Sequence, residues 1–187
     1  MRIFAALPLP ENCAEALGKR TSILRELNPL WRWTEESDIH LTLAFLGELD
    51  REGAGLVIKS AGEAAQGQKA VSAGCGALIT LPHGRNANVL ALQIDKGHNE
   101  LAALAAKFEK ALLANGQAAG YVFRKEKRRF KPHITLARRG PAPLRLPQTD
   151  TTDAVYALFD RLVVFCSELR RDGAVYTPLA EFCFDSV

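Results

Sequence analysis

The chain has 187 residues and no Cys-x-x-C pair, so its four cysteines, Cys13, Cys75, Cys166 and Cys183, give no support to a structural zinc site. It has little excess of either charge: 24 Lys and Arg face 21 Asp and Glu, a net +3, which neither demands nor excludes a polyanionic partner. No stretch approaches the ~18 uninterrupted apolar residues of a membrane span. The apolar run after Met1 reaches Pro8 too soon for a secretory signal, so a soluble, cytoplasmic protein without disulfides is expected. Gly-rich phosphate loops of either nucleotide-binding type are missing. The 14 Gly and 9 Pro are near average usage, which excludes collagen-like and low-complexity classes. What is present is a 48% apolar fraction, which excludes disorder. A chain of this length buries roughly 70% of its unfolded surface and needs no covalent staple. One domain over 1–187 is expected.

Periodicity gives the organisation. Arg2 to Leu7 reads as a strand ended by Pro8-Leu9-Pro10, and Glu11 to Leu27 as a helix with Leu17, Leu24 and Leu27 on one stripe. Both tryptophans, Trp31 and Trp33, lie in a loop or short strand from Asn28 to Asp38. Ile39 to Gly47 alternates and is rich in β-formers, which predicts a strand. Arg51 to Gln66 is alanine-rich and helical. Val71–Thr80 and Asn88–Asp95 read as strands joined by the breakers Pro82-His83-Gly84-Arg85-Asn86. His98 to Asn115 is a helix with Leu101, Leu104, Ala105, Phe108 and Leu112 on one face and Gly116 as its cap. Pro132–Arg138 is a strand ended by Gly140-Pro141-Ala142-Pro143. Phe159–Leu169 and Ala174–Phe184 flank an Asp172-Gly173 hairpin turn. Counting outward from that turn places Cys166 opposite Leu179 and Cys183 opposite Leu162, so those thiols do not meet. All four are expected to be buried and inert. About seven strands and three helices, with hairpins among them, argue an α+β fold of antiparallel sheets.

One tetrapeptide occurs twice. His40-Leu41-Thr42-Leu43 and His133-Ile134-Thr135-Leu136 each lie in a predicted strand. In a strand, residues i and i+2 share a face, roughly 6–7 Å apart. Each motif therefore points one imidazole and one hydroxyl the same way, with its apolar residues directed to a core. Two such strands suggest two similar half-structures facing one another. Paired histidines serve as general acid and general base, and paired threonine hydroxyls bind the oxygens of a phosphate between them. In-line attack on phosphorus needs that pairing. A lone His-x-Thr would be an ordinary surface pair; its repetition sets a catalytic pair beside that reading as an equal alternative.

The sequence resembles the two-histidine (2H) phosphoesterase superfamily, specifically the bacterial and archaeal RNA 2′,3′-cyclic phosphodiesterases once called 2′-5′ RNA ligases. The matching segments are RIFAALPLP at 2–10, IHLTLAFLGE at 39–48, FKPHITLARR at 130–139 and SELRRDGAVYTPLAEF at 167–182. The resemblance implies two pseudo-symmetric lobes of antiparallel sheet with flanking helices and an active-site cleft between them. It implies His40 as proton donor and His133 as proton acceptor. It also marks Arg138 as a phosphate or nucleotide ligand. Ideal alternation instead puts Arg139 on the His133 face, and a bulge or strand end before Gly140 decides between them.

Further candidates carry two readings each. Arg124, Lys125, Lys127, Arg128, Arg129 and Lys131 form a basic run that is either a solvated loop or a contact to an RNA backbone. Trp33 and Phe45 either pack or stack on a terminal base. His83 and His98 read as exposed or capping residues. The expected activity is metal-independent hydrolysis of RNA 2′,3′-cyclic phosphate ends, to a 2′-phosphate as the resemblance implies, with 2′-5′ ligation through the same transition state and no cofactor. The alternatives are a phosphodiesterase of small cyclic phosphates and a non-catalytic RNA-end-binding module.

Overall fold

In the computed structural model, which describes residues 1–84, 86–146, 155–170 and 173–186, the first apolar run forms β1 (Arg2–Pro8). Pro10 precedes α1 (Glu11–Leu27), whose Glu11 and Arg25 complement the helix dipole at either end. A two-residue β2 (Arg32–Trp33) and a 3-10 turn at Glu36–Asp38 lead into β3 (His40–Glu48). Helix α2 (Arg51–Ala65) starts at Asp50, whose carboxylate accepts the Gly53 N–H. Strands β4 (Val71–Leu81) and β5 (Val89–Lys96), helix α3 (His98–Ala119) and β6 (His133–Arg138) follow. The chain then forms β7 (Val155–Phe159), β8 (Arg161–Arg170) and β9 (Gly173–Cys183).

All nine strands join one antiparallel sheet in the order β7-β4-β5-β6-β3-β1-β8-β9, with β2 beside β6. The sheet has two halves, β3-β1-β8-β9 and β6-β5-β4-β7, and each carries a motif strand on its inner edge. They meet at a single ladder pair, Leu41 with Ile134. Connectivity repeats as well: β1–α1–β3 and β5–α3–β6 are both strand, helix, motif strand. These are the two lobes of an α+β fold.

The helices cover one face. Ile3, Ala5, Leu7, Leu41, Leu43, Leu92, Ile94, Ile134 and Leu136 share a core with Leu17, Val57, Leu101 and Phe108. Alternation along the strands leaves the opposite face free for polar side chains. Among the described residues, no helix is long and apolar enough to cross a membrane.

Four details differ from the sequence reading. Helix α3 runs past Asn115 to Ala119 and is capped by Gly120 at φ 71°. Gly116 is buried inside it, where a Cβ would meet the Tyr121 carbonyl oxygen and the Phe123 ring at 2.7 Å. It permits a close approach instead of ending the helix. The Phe159–Leu169 run is interrupted at Asp160, which separates β7 from β8. Gly173 pairs with Arg170 as the first residue of β9, so Cys166 lies opposite Thr177 and Cys183 opposite Arg161. The other half of the expected turn, Asp172, lies outside the described residues, as does Arg85. Finally, Cys13 and Cys75 are buried, but Cys166 is only partly so and Cys183 is exposed at the sheet edge.

Candidate active site

Both motif strands alternate as expected. Leu41, Leu43, Ile134 and Leu136 are buried, while His40, Thr42, His133 and Thr135 are partly exposed on the other face. Each imidazole is held in the same way. His40 Nδ1 lies 2.6 Å from the Asp38 carbonyl oxygen, and His133 Nδ1 lies 2.8 Å from that of Lys131. A carbonyl can only accept, so each Nδ1 carries its hydrogen and each Nε2 is left for chemistry.

The Leu41–Ile134 pair sets the relation between the motifs. Extending its antiparallel register by one residue places His40 level with Thr135, and Thr42 level with His133. Imidazoles and hydroxyls therefore alternate around the seam between the lobes.

The repeat continues for one residue beyond the tetrapeptide, since Ala44 and Ala137 both follow the motif leucine. At this point each strand carries a one-residue bulge. Ala6 pairs with Thr42 but Ala5 with Ala44; Ala91 pairs with Thr135 but Leu90 with Ala137. The extra residues, Leu43 and Leu136, shift the alternation by one. Arg138 and Phe45 are thereby turned on to the histidine face. Arg138 is close enough for its charge to act on His40. Arg139 uses its N–H to bond the Asn88 carbonyl as the strand ends.

The two histidines have different surroundings. Phe4 lies 5.1 Å from the His40 ring, Tyr176 meets it edge-on at 5.5 Å, and Phe165 lies 6.5 Å away. Burial therefore pushes the His40 imidazole below its usual value of 6.5. The Asp38 hydrogen bond opposes this shift, and the positive charges of Arg138 and His133 add to it.

Other expected site residues divide. Phe45 is 56% exposed on the histidine face, with the Arg2 guanidinium 4.9 Å from its ring centre. Trp33 pairs with Ala137 and so faces away from the histidines, into the packed side of the sheet. Its Nε1–H donates to the Asn28 carbonyl, and Arg25 lies 5.2 Å from its ring centre. Lys127, Arg128, Arg129 and Lys131 are exposed on a segment without regular secondary structure that leads into β6. Arg128 pairs with Glu126, and the Lys131 carbonyl is the one that holds His133.

Sequence reasoning missed Phe4, Phe165, Tyr176, Arg32 and Gln93. Alternation in β1 could have shown Phe4 facing away from Ile3, Ala5 and Leu7. Arg32 pairs with Arg138 and adds a second guanidinium to that rim. The others needed the strand order. Among the described residues, no three His, Cys, Asp or Glu side chains converge as a metal-ligand set would.

The family model of the 2′-5′ RNA ligase superfamily matches residues 19–169. The chain belongs to that superfamily. Within the 2′-5′ RNA ligase superfamily, it is 25% identical over 162 residues to the RNA 2′,3′-cyclic phosphodiesterase of Aquifex aeolicus (strain VF5), covering 84% of each chain. The crystal structure of TT0787 of Thermus thermophilus is similar at 27% identity and a TM-score of 0.82, covering 98% of both chains. E. coli LigT complexed with 3′-AMP shares the fold at 22% identity and a TM-score of 0.76, covering 98% of this chain and 97% of that one.

Proposed function

We propose that the protein is a metal-independent phosphodiesterase that opens RNA 2′,3′-cyclic phosphate ends to 2′-phosphates. One observation carries the reading: two Nε2 atoms from equivalent strands are presented on one face, each with its tautomer fixed by a main-chain carbonyl. His133 takes the proton from a water attacking phosphorus. The new P–O bond forms as the P–O3′ bond breaks. His40 delivers its proton to the departing 3′ oxygen.

Thr42, Thr135 and Arg138 bind the nonbridging oxygens, so charge developing on phosphorus meets fixed donors. When the anionic phosphate sits among them, it offsets the repulsion between His40 and Arg138 and favours the charged imidazolium. A hydroxyl of a second RNA in place of water gives 2′-5′ ligation by the same steps. Phe45 offers a face for a base, and the basic segment before β6 offers cations to the RNA backbone, in a cytoplasmic reaction that needs no protein partner. Incubation with an oligonucleotide ending in a 2′,3′-cyclic phosphate, followed by product mapping, tests the reading. A 2′-phosphate product is expected. An untouched substrate, or a 3′-phosphate product, overturns it.

A further inference from the structure

The strands outside the two motifs supply the neighbours of each histidine. On β1, Pro8 pairs with His40 and Ala6 with Thr42. On β5, Gln93 pairs with His133 and Ala91 with Thr135. Since β1–α1–β3 and β5–α3–β6 repeat one another, Pro8 and Gln93 are equivalent positions. There the pseudo-symmetry breaks: proline beside one imidazole, a primary amide beside the other.

Gln93 faces the site. Its chain neighbours Leu92 and Ile94 are buried in the core, so its own side chain stands on the opposite face, where it is exposed. Cross-strand partners on one face have Cβ atoms about 4.5–5.5 Å apart, within reach of a glutamine amide. That amide has no hydrogen-bond partner among the described residues, although it offers two donors and one acceptor.

The rest of the site shows the same asymmetry. His40 is walled by Phe4, Phe165 and Tyr176, whereas His133 takes its anchoring carbonyl from an exposed loop. The His40 side is the more enclosed of the two and the His133 side the more open.

We propose that Gln93 positions the attacking oxygen at His133 and so governs the choice between water and an alcohol as nucleophile. The inference rests on the proposed assignment of His133 as the base. The Gln93 amide oxygen accepts one hydrogen of the incoming water, while His133 Nε2 takes the other as the new P–O bond forms, the P–O3′ bond breaks and His40 protonates the departing O3′. An alcohol has a single hydrogen, which His133 takes, and so cannot satisfy both acceptors. The amide therefore favours hydrolysis over transfer.

The test uses Gln93→Met, which keeps side-chain length and removes the amide, with a 2′,3′-cyclic-phosphate oligonucleotide in a water–methanol mixture. The ratio of methyl diester to 2′-phosphate reads nucleophile choice and does not depend on how much protein is folded. For Gln93→Met, hydrolytic kcat should fall about tenfold with KM held within about twofold, and the ester fraction should rise several-fold. An unchanged product ratio overturns the role of Gln93, whatever happens to kcat. Wild-type protein that leaves the cyclic phosphate intact overturns the proposed function itself, and this inference with it.

Discussion

Phe45 and Arg138 occupy the same place in two copies of one structural repeat. Each stands five residues after its histidine and follows an alanine, and each is turned on to the histidine face by a one-residue bulge. Equivalent backbone thus presents an aromatic ring in one lobe and a guanidinium in the other. The symmetric frame carries unsymmetric side chains, as the proposed displacement, with distinct entering and leaving groups, requires.

Removing either imidazole should cost most. General acid–base catalysis is worth ~10²–10⁴-fold per positioned group, so His40→Ala and His133→Ala should each lose at least ~10²-fold in kcat. The losses should not add, because both groups serve one displacement. A substrate with an activated leaving group needs little protonation and should rescue His40→Ala alone. Rescue of His133→Ala would reverse the acid and base assignments. Thr42→Ala and Thr135→Ala should cost on the order of 1–3 kcal/mol each in kcat/KM, as hydrogen bonds to a charged group.

The lowered His40 pKa predicts the pH profile. As the proposed proton donor His40 must be protonated to act, so kcat/KM should fall as pH rises through the free-enzyme value, which lies below 6.5. Bound phosphate offsets the nearby positive charges, so the matching limb of kcat should lie at higher pH. Tyr176→Ala opens the His40 ring to water and should move the kcat/KM limb upward, whereas Tyr176→Phe keeps the wall and the limb. A basic limb of kcat/KM above 6.5 in the wild type would contradict this assignment.

Arg138 and Arg139 should behave differently despite being adjacent. Arg138→Ala should raise KM and also lift the His40 pKa, by removing a positive charge that acts on it. Arg139→Ala should change kcat/KM by less than about twofold, as surface substitutions away from a site do. NMR titration of the His40 ring in both variants separates them. Equal shifts would mean that the bulge does not select Arg138.

Folding stability should carry the His40 signature. Its folded pKa lies below the unfolded 6.5, so between those values the unfolded chain binds more protons. Stability from this group is therefore full above 6.5 and is lost as pH falls through that window. His40→Phe should flatten that stretch of the urea-midpoint profile. A slope identical to the wild type would show that His40 titrates normally.

Neutralising Lys127, Arg128 and Arg129 together should weaken binding of long RNA and reduce its salt dependence, since each lost phosphate contact releases fewer counterions. Turnover of a cyclic mononucleotide should change much less. An unchanged salt slope would leave the segment a solvated loop.

The motif strands were legible because alternation and repetition are local. His40, Thr42, His133 and Thr135 share a face for reasons present in each tetrapeptide, and the repeat alone suggested two lobes. Alternation alone did not choose Arg138 over Arg139, and only the resemblance marked it, because the bulge exists only relative to the residue count of the neighbouring β5. The wall around His40 comes from three strands and becomes visible only once β1 lies between β3 and β8. Gly116 shows the same limit at a helix end. A glycine closing a periodic run serves either as a left-handed cap or as a gap for a neighbour, and here Tyr121 and Phe123 decide.

The carbonyls that anchor the two imidazoles have an implication for mutational tolerance. A catalytic histidine oriented by a carboxylate loses its orienting partner through a single Asp or Glu substitution. Here the partners are main-chain atoms of Asp38 and Lys131, which every replacement at those positions retains. The tautomers are thus insulated from point substitutions at their own anchors. Only a change in chain path, such as an insertion or deletion between anchor and histidine, can unset them. In a mutational scan, positions 38 and 131 should accept many side chains while tolerating no change in spacing.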